Sequence, residues 1–341
     1  MNFLERAWYE GRPWLYVLWP LSMLFRGVAA YRRRRHSADA SRLGKQPVIV
    51  IGNITVGGTG KTALLIALAR ELKQLGMSPG IISRGYGATA ANYPLAVEAD
   101  SDPDECGDEP VLIAASTECP VVVDPDRPAA LAHLLAEYKV NVVLSDDGLQ
   151  HYRLHRDIEI AVVDGARMFG NGLLLPAGPL REPRQRLHEV DFVIVNGKVA
   201  EELELPVPLY EAAMEAHSLV NLATGEERSF TGAPFHVGNT LQLVSGIGNP
   251  ERFYALMESL PYPLARIEFP DHHKFSEEDF AGERIDAHQP IVMTEKDAVK
   301  CRRFATANFW ALRAEMKLPP EFVKALLKRI RQAKAEAKAK A

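Results

Sequence analysis

One glycine-rich stretch constrains the fold of this chain more than any other part of its sequence. Residues 52–62 read GNITVGGTGKT and directly follow the apolar run 48–51. Helical periodicity continues over 62–75, and Gly76 stands where a helix is expected to end. A buried strand, a glycine loop and a helix are the context in which such a loop binds phosphate, because the loop amides and the positive end of the helix dipole both attract the anion.

The loop departs at one position from the usual phosphate-loop pattern, G-x-x-x-x-G-K-[ST]. The first glycine of that pattern is replaced by Thr55, whereas Gly60, Lys61 and Thr62 are intact. Loop amides can still converge on phosphate oxygens, Lys61 can reach the β- and γ-phosphates, and Thr62 can offer a hydroxyl to Mg²⁺. The predicted nucleotide-binding residues are Thr55, Val56, Gly57, Gly58, Thr59, Gly60, Lys61 and Thr62.

The remainder of the chain predicts an α/β fold built on a parallel sheet. Short apolar runs alternate with helical stretches, as expected of strands that are buried on both faces and connected by helices. Between about 205 and 240 the pattern loosens into prolines and polar turns, and it then resumes. We therefore predict a P-loop NTPase-like sheet covered by helices, with a smaller C-terminal α/β subdomain. The predicted strands contain residues 48–51, 81–82, 121–123, 142–144, 160–163, 192–195, 241–244 and 291–293.

Two adjacent carboxylates follow one of these predicted strands. A phosphate loop requires an acidic partner at the end of a neighbouring strand to hold the metal ion, and Asp146 with Asp147 supplies it. We predict that Thr62 and Asp146 bind Mg²⁺, with Asp147 as a second metal candidate that also belongs to the predicted catalytic residues. Gln150 and His151 follow closely, and both are candidate substrate contacts near the γ-phosphate.

Other polar residues also follow predicted strands, at positions where open α/β sheets bind ligands. Arg84 and Tyr86 are candidate substrate contacts, and the guanidinium of Arg84 suits a phosphate group. Arg127 opens a predicted helix and is a further candidate of the same kind. The pair Asp108 and Glu109 opens another helix, where its carboxylates are compatible with either a site or simple capping.

The composition argues against several other classes of protein. Apolar residues make up 47% of the chain and charged residues 25%, which fits a globular protein with a packed core. The net charge of −4 gives no general attraction to nucleic acid. The three cysteines lack metal-ligand spacing and cannot form a disulfide framework, which predicts a reducing compartment.

The N-terminal segment is apolar and aromatic, and it ends in a basic run. Residues 14–25 read WLYVLWPLSMLF, and 32–35 are all arginine, which argues against an exported signal peptide. The stretch 14–30 would form a helix of about 26 Å, slightly short of a bilayer core of about 30 Å. A spanning helix and a helix packed on the protein's own core remain alternatives. We favour a helix in the membrane interface, with its arginines at anionic phospholipid headgroups.

The ordered set of motifs resembles one family, the tetraacyldisaccharide 4′-kinases of lipid A biosynthesis. Each motif is weak alone, but the set runs in the order of the family from about residue 47 to 300. The loop that lacks the first glycine of the general pattern is similar to the loop of this family. The matching segments are 52–62, SRGYG at 83–87, GDEP at 107–110, VDPDR at 123–127, SDDGLQHYRL at 145–154, LLPAGPLREP at 174–183, PDHH at 270–273 and TEKDAVK at 294–300.

The resemblance implies a P-loop kinase on the cytoplasmic face of a Gram-negative inner membrane. Such an enzyme uses ATP and Mg²⁺ to phosphorylate the 4′-hydroxyl of a disaccharide 1-phosphate that carries four acyl chains. The catalytic aspartate of the family falls on Asp108 and its partner histidine on His272, with His273 as the alternative. Lys61 and Asp147 complete the predicted catalytic set. The implied partners are the lipid disaccharide in the membrane and an anionic phospholipid surface, without nucleic acid or an obligate protein partner.

The resemblance and the pattern together predict four segments. Residues 1–40 form an apolar and basic membrane-associating segment, and 41–205 form the P-loop kinase core. Residues 206–330 form the smaller α/β subdomain, and 331–341 form a charged helical tail.

Two other classes of function are compatible with a phosphate loop. A P-loop GTPase switch requires a base-reading N-K-x-D motif, and neither 196–199 nor 294–297 has that spacing. A membrane-associated ATPase that positions a partner protein would hydrolyse ATP and yield no phosphorylated lipid.

Overall fold

The chain forms two compact units. The structure is a computed structural model that describes residues 3–38, 40–85, 87–200, 203–271, 273–282, 284–286 and 288–339. The larger unit takes the chain up to Ala213 together with the chain from Met316 onward, and the smaller unit is Met214–Glu315. Tyr86 and His272 lie outside the described residues, so their roles stay predictions.

The bounds of the elements follow in chain order. The helices are α1 (Phe3–Glu10), α2 (Trp19–Ala38), α3 (Lys61–Gln74), α4 (Pro103–Cys106), α5 (Asp108–Thr117), α6 (Arg127–Glu137), α7 (Glu251–Met257), α8 (Glu277–Phe280), α9 (Glu295–Cys301) and α10 (Pro320–Ala339). Short 3₁₀ helices cover Pro13–Leu18, Arg184–His188 and Arg302–Phe304. The strands are β1 (Val48–Gly52), β2 (Pro79–Ser83), β3 (Leu95–Val97), β4 (Val121–Val123), β5 (Val142–Ser145), β6 (Ile158–Asp164), β7 (Phe192–Asn196), β8 (Leu209–Asn221), β9 (Glu227–Ser229), β10 (Leu241–Ser245), β11 (Leu264–Glu268), β12 (Ile291–Thr294) and β13 (Phe309–Lys317).

A mostly parallel sheet forms the centre of the larger unit. Its strands lie in the order β3-β4-β2-β5-β1-β6-β7-β8. Strand β3 is antiparallel to β4, and the other neighbouring strands are parallel. Every residue of β1, β2, β4, β5 and β7 is buried, as expected of strands that are covered on both faces. The predicted α/β fold is confirmed, and all six strands predicted for this unit are present.

The helices of the larger unit cover the sheet with apolar faces. Helix α3 buries Leu64, Leu65, Leu68 and Leu72, which recur at helical spacing. Helix α6 packs on β2 and β4, and α5 packs beside α3. Helices α3 and α6 begin just after the parallel strands β1 and β4 end, so the loops that join these strands to these helices lie at one edge of the sheet.

The smaller unit has its own hydrophobic core. Its strands lie in the order β11-β10-β12-β13-β8, and β9 pairs with β8. Strand β10 is parallel to β11 and β12, and β12 is parallel to β13. The strands predicted at 241–244 and 291–293 are present as β10 and β12. Tyr254 and Phe275 are among its fully buried side chains.

The structure differs from the predicted layout in two places. The stretch that the sequence pattern left irregular contains β8, a strand of 13 residues. Its sequence, LYEAAMEAHSLVN, has no continuous apolar run, which explains why the pattern did not predict a strand. This strand crosses the boundary between the units at 213/214, eight residues beyond the predicted boundary at 205/206. Helix α10 continues unbroken through 330 and 331, where a separate tail was predicted to begin.

The N-terminal segment, residues 3–38, contacts the larger unit along one face. The indole Nε1 of Trp8 donates to the Pro176 carbonyl at 3.0 Å, and the hydroxyl of Ser22 donates to the Leu174 carbonyl at 2.8 Å. Leu15 is fully buried. Within the described ranges, none of the helices combines the length and the apolar character that crossing a membrane requires.

Candidate active site

The candidate site lies at the carboxyl edge of the larger sheet. Strand β1 leads into the glycine loop, β5 ends directly before Asp146, and β2 ends directly before Arg84. Strand β5 pairs with β1 on one side and with β2 on the other. Because the three strands are parallel neighbours, the residues that follow them come together at one edge.

Two glycines shape the loop between β1 and α3. Gly57 has a φ of 98° and Gly60 a φ of 96°, conformations that side chains other than glycine rarely allow. A Cβ on Gly60 would lie 2.2 Å from Nδ2 of Asn196, so this position also lacks space for a side chain. The turn at Gly60 starts α3 at Lys61, so the helix N-terminus follows the loop directly and can bind phosphate oxygens.

Polar side chains hold the loop from several directions. Asn53 Nδ2 donates to the hydroxyl of Thr59 at 3.2 Å, and Asn196 Nδ2 donates to the Thr59 carbonyl at 3.0 Å. Arg167 Nη2 donates to the Gly58 carbonyl at 2.7 Å. These contacts occupy carbonyl and hydroxyl groups, so they fix the loop without using its amides.

The motif LLPAGPLREP lies against the start of the loop. Thr55 forms an isolated antiparallel bridge with Leu180, and the amide of Val56 donates to the Pro179 carbonyl at 2.8 Å. Thr55 therefore stands where the general pattern has glycine and pairs there as ordinary extended backbone. This pairing is a physical reason why the loop tolerates the missing glycine.

Asp147 lies between two cations. Its carboxylate is 3.5 Å from Lys61 Nζ and 3.1 Å from Arg181 Nη1. Burial by itself raises the pKa of Asp147, but the charges of Lys61 and Arg181 outweigh it and hold the pKa well below its usual range. Asp147 is therefore ionised at neutral pH and positions Lys61 at the start of α3.

Asp146 has the opposite electrostatic environment. Its side chain is 2% exposed, and Ser83 Oγ lies 3.3 Å from Oδ2. Burial, together with the neighbouring carboxylates of Glu109 and Asp147, raises the pKa of Asp146 to about 7. Oδ1 of Asp146 has no hydrogen-bond partner among the described residues. A buried carboxylate with an unsatisfied oxygen beside other carboxylates fits a cation.

The residues around Asp146 fit a magnesium ion that is shared with phosphates. No group of three or more His, Cys, Asp or Glu side chains in the described part of the chain could hold a metal by itself. Mg²⁺ in kinase sites usually takes only one or two protein carboxylates and completes its shell with water and phosphate oxygens. Asp146 and the half-buried Thr62, the second residue of α3, match that requirement.

Helix α5 brings Asp108 to the same edge. Arg70 of α3 donates to the Ser116 carbonyl at 2.8 Å, and Lys73 donates to the Thr117 carbonyl at 2.8 Å, so the two helices end side by side. The start of α5 lies near Asp146, because the carboxylate of Glu109 is close enough to raise the pKa of Asp146. Asp108 is 8% exposed, and its Oδ1 accepts the amide of Glu109 at 2.9 Å.

Arg127 and His151 lie in the same electrostatic environment. Arg127 is 1% exposed, and its Nη2 donates to the Asp146 carbonyl at 2.7 Å. Its Nε and Nη1 have no hydrogen-bond partner within the described residues. Burial lowers the pKa of Arg127 to about 10, so it remains a cation that fits an anionic group. Burial, with the nearby charges of Arg127 and Arg84, lowers the pKa of His151 to about 3.

The structure places Gln150 behind the loop. Its Nε2 donates to the Asn53 carbonyl at 3.0 Å and to Glu182 Oε1 at 2.6 Å. Glu182 also accepts a hydrogen bond from the hydroxyl of Tyr152. Gln150 thus holds Asn53, the residue that donates to Thr59 of the loop. The contact of Gln150 with substrate remains a prediction.

Sequence reasoning from the residues alone missed two contributors to this site. Arg181 and Glu182 entered only as part of a family motif, because they follow no strand and carry no spacing signal. Asn196, which contacts the loop, is the last residue of β7. Its place at a strand end is the only sequence signal that pointed to it, and a contact of Asn196 with the adenine of the nucleotide stays a prediction.

Comparison with known proteins identifies a family of kinases, which agrees with the phosphate-binding loop and the carboxylates described above. The family model described as LpxK, tetraacyldisaccharide-1-P 4′-kinase, matches residues 14–331. A tetraacyldisaccharide 4′-kinase of Nitrosococcus oceani is 46% identical over 97% of this chain and 95% of the relative. The corresponding enzyme of Pseudomonas putida is 44% identical over 94% of this chain and 96% of the relative.

A solved structure extends the likeness to the fold. The crystal structure of LpxK from Aquifex aeolicus in complex with ATP has a TM-score of 0.77 and 29% identity, and the match covers 93% of this chain and 99% of that chain. The family match spans both units and all the motifs quoted above. The chain belongs to the tetraacyldisaccharide 4′-kinase family, the ATP-dependent lipid kinases of lipid A biosynthesis.

Proposed function

We propose that this chain transfers the γ-phosphate of ATP to the 4′-hydroxyl of a membrane-bound tetraacyldisaccharide 1-phosphate, with Asp108 as the general base. One observation supports the proposal above all. The glycine loop and the pair Asp146 and Asp147 lie at one edge of the sheet, and Glu109, the neighbour of the buried Asp108, is close to Asp146, in a chain of this kinase family.

The glycine loop and the basic side chains beside it hold the triphosphate of ATP. The loop amides and the α3 N-terminus bind phosphate oxygens, and Lys61 neutralises charge on the β- and γ-phosphates. Asp147 keeps the lysine ammonium at the loop, since the two groups are 3.5 Å apart. Arg127 and Arg84 supply positive charge near Asp146 for a phosphate of ATP or of the acceptor.

Asp108 performs the proton transfer. As the 4′-oxygen forms its bond to the γ-phosphorus, the bond from the γ-phosphorus to the β,γ-bridging oxygen breaks, and ADP leaves. The proton of the hydroxyl passes to the carboxylate of Asp108. A sugar hydroxyl is a poor nucleophile at neutral pH, so a carboxylate within hydrogen-bond reach accelerates its attack by about 10²–10⁴-fold.

Mg²⁺ belongs to the proposal as the partner of Asp146 and Thr62. When bound, the ion would offset the negative charge of the β- and γ-phosphates. The unsatisfied Oδ1 of Asp146 supports this assignment. Asp146 and Thr62 would fix the position of the ion relative to the loop.

His272 is the proposed partner of Asp108. Its neighbour His273 has other contacts, because its Nε2 lies 3.1 Å from Asp279 and its ring stacks on Phe269 with centroids 4.7 Å apart. These contacts give His273 a structural role and favour His272 for the chemistry. Kinetics of His272→Ala and His273→Ala separate the two, because only the first is expected to lower the rate of transfer at saturating ATP.

The N-terminal segment is the proposed membrane contact, at the cytoplasmic face of the inner membrane. Of the twelve large apolar side chains that the described residues expose, nine lie in it. Val17 is 79% exposed and Leu24 67%. Exposed aromatic and aliphatic groups beside arginines suit the bilayer interface, where the four-chain acceptor also resides.

Product analysis tests the proposed reaction. The wild-type chain is incubated with ATP, Mg²⁺ and a tetraacyldisaccharide 1-phosphate in mixed micelles, and the lipid is examined by phosphorus NMR. We expect a new phosphate ester at C4′ and an equal amount of ADP. An otherwise identical acceptor without the 4′-hydroxyl is the control and should gain no phosphate. ATP hydrolysis without phosphorylated lipid would contradict the proposal and favour a partner-positioning ATPase.

A further inference from the structure

The carboxyl-terminal helix α10 is fixed to the larger unit by one face. The ring of Phe322 packs edge-on against Phe192 with centroids 5.6 Å apart. Apolar residues recur along that face at helical spacing. The buried residues of α10 are Phe322, Leu326, Ile330, Ala333 and Ala337.

The opposite face of α10 is basic. At about 100° per residue, five cations fall within an arc of about 120° that excludes the buried face. The acidic residues Glu321 and Glu336 fall outside this arc, and Glu336 lies 3.7 Å from Arg329. The five cations, which we call the basic face of α10, are Lys324, Lys328, Arg331, Lys334 and Lys338, all exposed except the half-buried Lys334.

Helix α10 lies beside the arginine-rich end of α2. Arg329 Nε is 2.9 Å from Asp191, and its Nη2 donates to the Asp157 carbonyl at 2.8 Å. The same two aspartates line a cavity of about 270 Å³ together with Arg33 and Ser37 of α2. Both helices therefore border one small region of the larger unit.

We propose that the basic face of α10 binds the headgroups of an anionic bilayer and extends the membrane surface formed by the N-terminal segment. This inference rests on the membrane association proposed above. Charge complementarity supports it, because each lysine or arginine near an anionic leaflet strengthens binding by up to about fivefold. The exposed apolar residues of the adjoining segment favour lipid over nucleic acid as the partner.

Vesicle binding by the full chain tests the inference. Co-sedimentation is measured with vesicles of phosphatidylethanolamine and phosphatidylglycerol, and with vesicles of zwitterionic lipid alone. The test variant is Lys328→Glu with Arg331→Glu. The matched control is Lys139→Glu with Arg303→Glu, which changes the same residue types at exposed positions and alters the net charge equally. Circular dichroism and thermal unfolding verify that both variants are folded.

The inference predicts that the α10 variant binds anionic vesicles at least tenfold more weakly than the control variant. On zwitterionic vesicles the two should bind alike. Equal binding of both variants to anionic vesicles would overturn the inference but leave the N-terminal contact standing. Failure of the wild type to bind either kind of vesicle would overturn the inference and the membrane role together. Binding to duplex DNA is measured for the same three proteins. If the wild type and the control variant bind DNA but the α10 variant does not, the basic face binds nucleic acid and the inference is overturned.

Discussion

Asp146 and Asp147 are adjacent in the sequence, but their surroundings shift their pKa values in opposite directions. Burial and neighbouring carboxylates raise the pKa of Asp146 to about 7. Lys61 and Arg181 outweigh burial and lower the pKa of Asp147. One strand end therefore carries a carboxylate paired with two cations beside a buried carboxyl group whose Oδ1 has no hydrogen-bond partner among the described residues. This difference supports the proposal that Asp147 holds the lysine of the loop and that Asp146 binds the metal ion.

Gly60→Ala is expected to disrupt nucleotide binding. The substitution adds a Cβ that would lie 2.2 Å from Asn196 Nδ2, at a φ of 96° that alanine tolerates poorly. We expect ATP affinity to fall at least tenfold in a calorimetric titration. Gly76→Ala is the control, because Gly76 also has a positive φ but a Cβ there would meet nothing within 4 Å. Equal ATP affinity in the two variants would show that the close approach of a Cβ at position 60 to Asn196 does not affect nucleotide binding.

His151 predicts a dependence of stability on pH. Its folded pKa of about 3 lies below the unfolded value near 6.5. Between these two pH values His151 binds a proton in the unfolded chain but not in the folded chain. The contribution of His151 to the free energy of unfolding is therefore fully present above pH 6.5 and is lost as the pH falls toward 3. We expect the unfolding free energy of His151→Gln to decrease less than that of the wild type between pH 6 and 5, by about 1.2 kcal/mol. Parallel urea-unfolding profiles of the two proteins would refute this.

At the scale of elements, the N-terminal segment has an anchored face and an open face. Trp8, Leu15 and Ser22 contact the larger unit, whereas Val17 and Leu24 are exposed. The sequence predicted an apolar helix followed by arginines. It could not separate the alternatives of core packing and membrane contact, because the segment combines an anchored apolar face with an exposed one.

Substitutions on the open face test its role without removing the anchor. Val17→Asp with Leu24→Asp is expected to weaken binding to phospholipid vesicles at least tenfold, because charged groups replace side chains that enter the interface. Leu75→Asp with Val237→Asp is the control, since these residues are 47% and 80% exposed elsewhere. Similar vesicle binding by both double variants would argue against a membrane contact at this segment.

Substitutions on the anchored face of the N-terminal segment are expected to lower the stability of the fold. Trp8→Ala removes a buried indole and its hydrogen bond to Pro176, so the free energy of unfolding should decrease by about 3–5 kcal/mol. Denaturant unfolding measures the change. A loss below about 1 kcal/mol would mean that α1 contributes little to the stability of the larger unit.

At the scale of the whole molecule, local sequence patterns predicted the parallel sheet and the edge of that sheet where the candidate site lies. Strands such as 48–51 and 142–144 are continuous apolar runs, and the residues that follow them include the loop, Asp146 and Asp147. Strand β8 has no such run, so its sequence alone did not reveal it. The contact of Arg181 with Asp147 joins distant parts of the chain, and no local pattern encodes a tertiary contact of this kind.

The measurement that tests the central claim most directly is phosphate transfer from γ-labelled ATP to a tetraacyldisaccharide 1-phosphate by Asp108→Asn. ATP affinity is measured alongside, and Asp100→Asn serves as the control, because Asp100 is an exposed acid of the same segment. We predict wild-type rates for the control. For Asp108→Asn we predict a loss of about 10²–10⁴-fold with ATP affinity retained. A rate for Asp108→Asn within a few-fold of the wild type would contradict the assignment of Asp108 as the base.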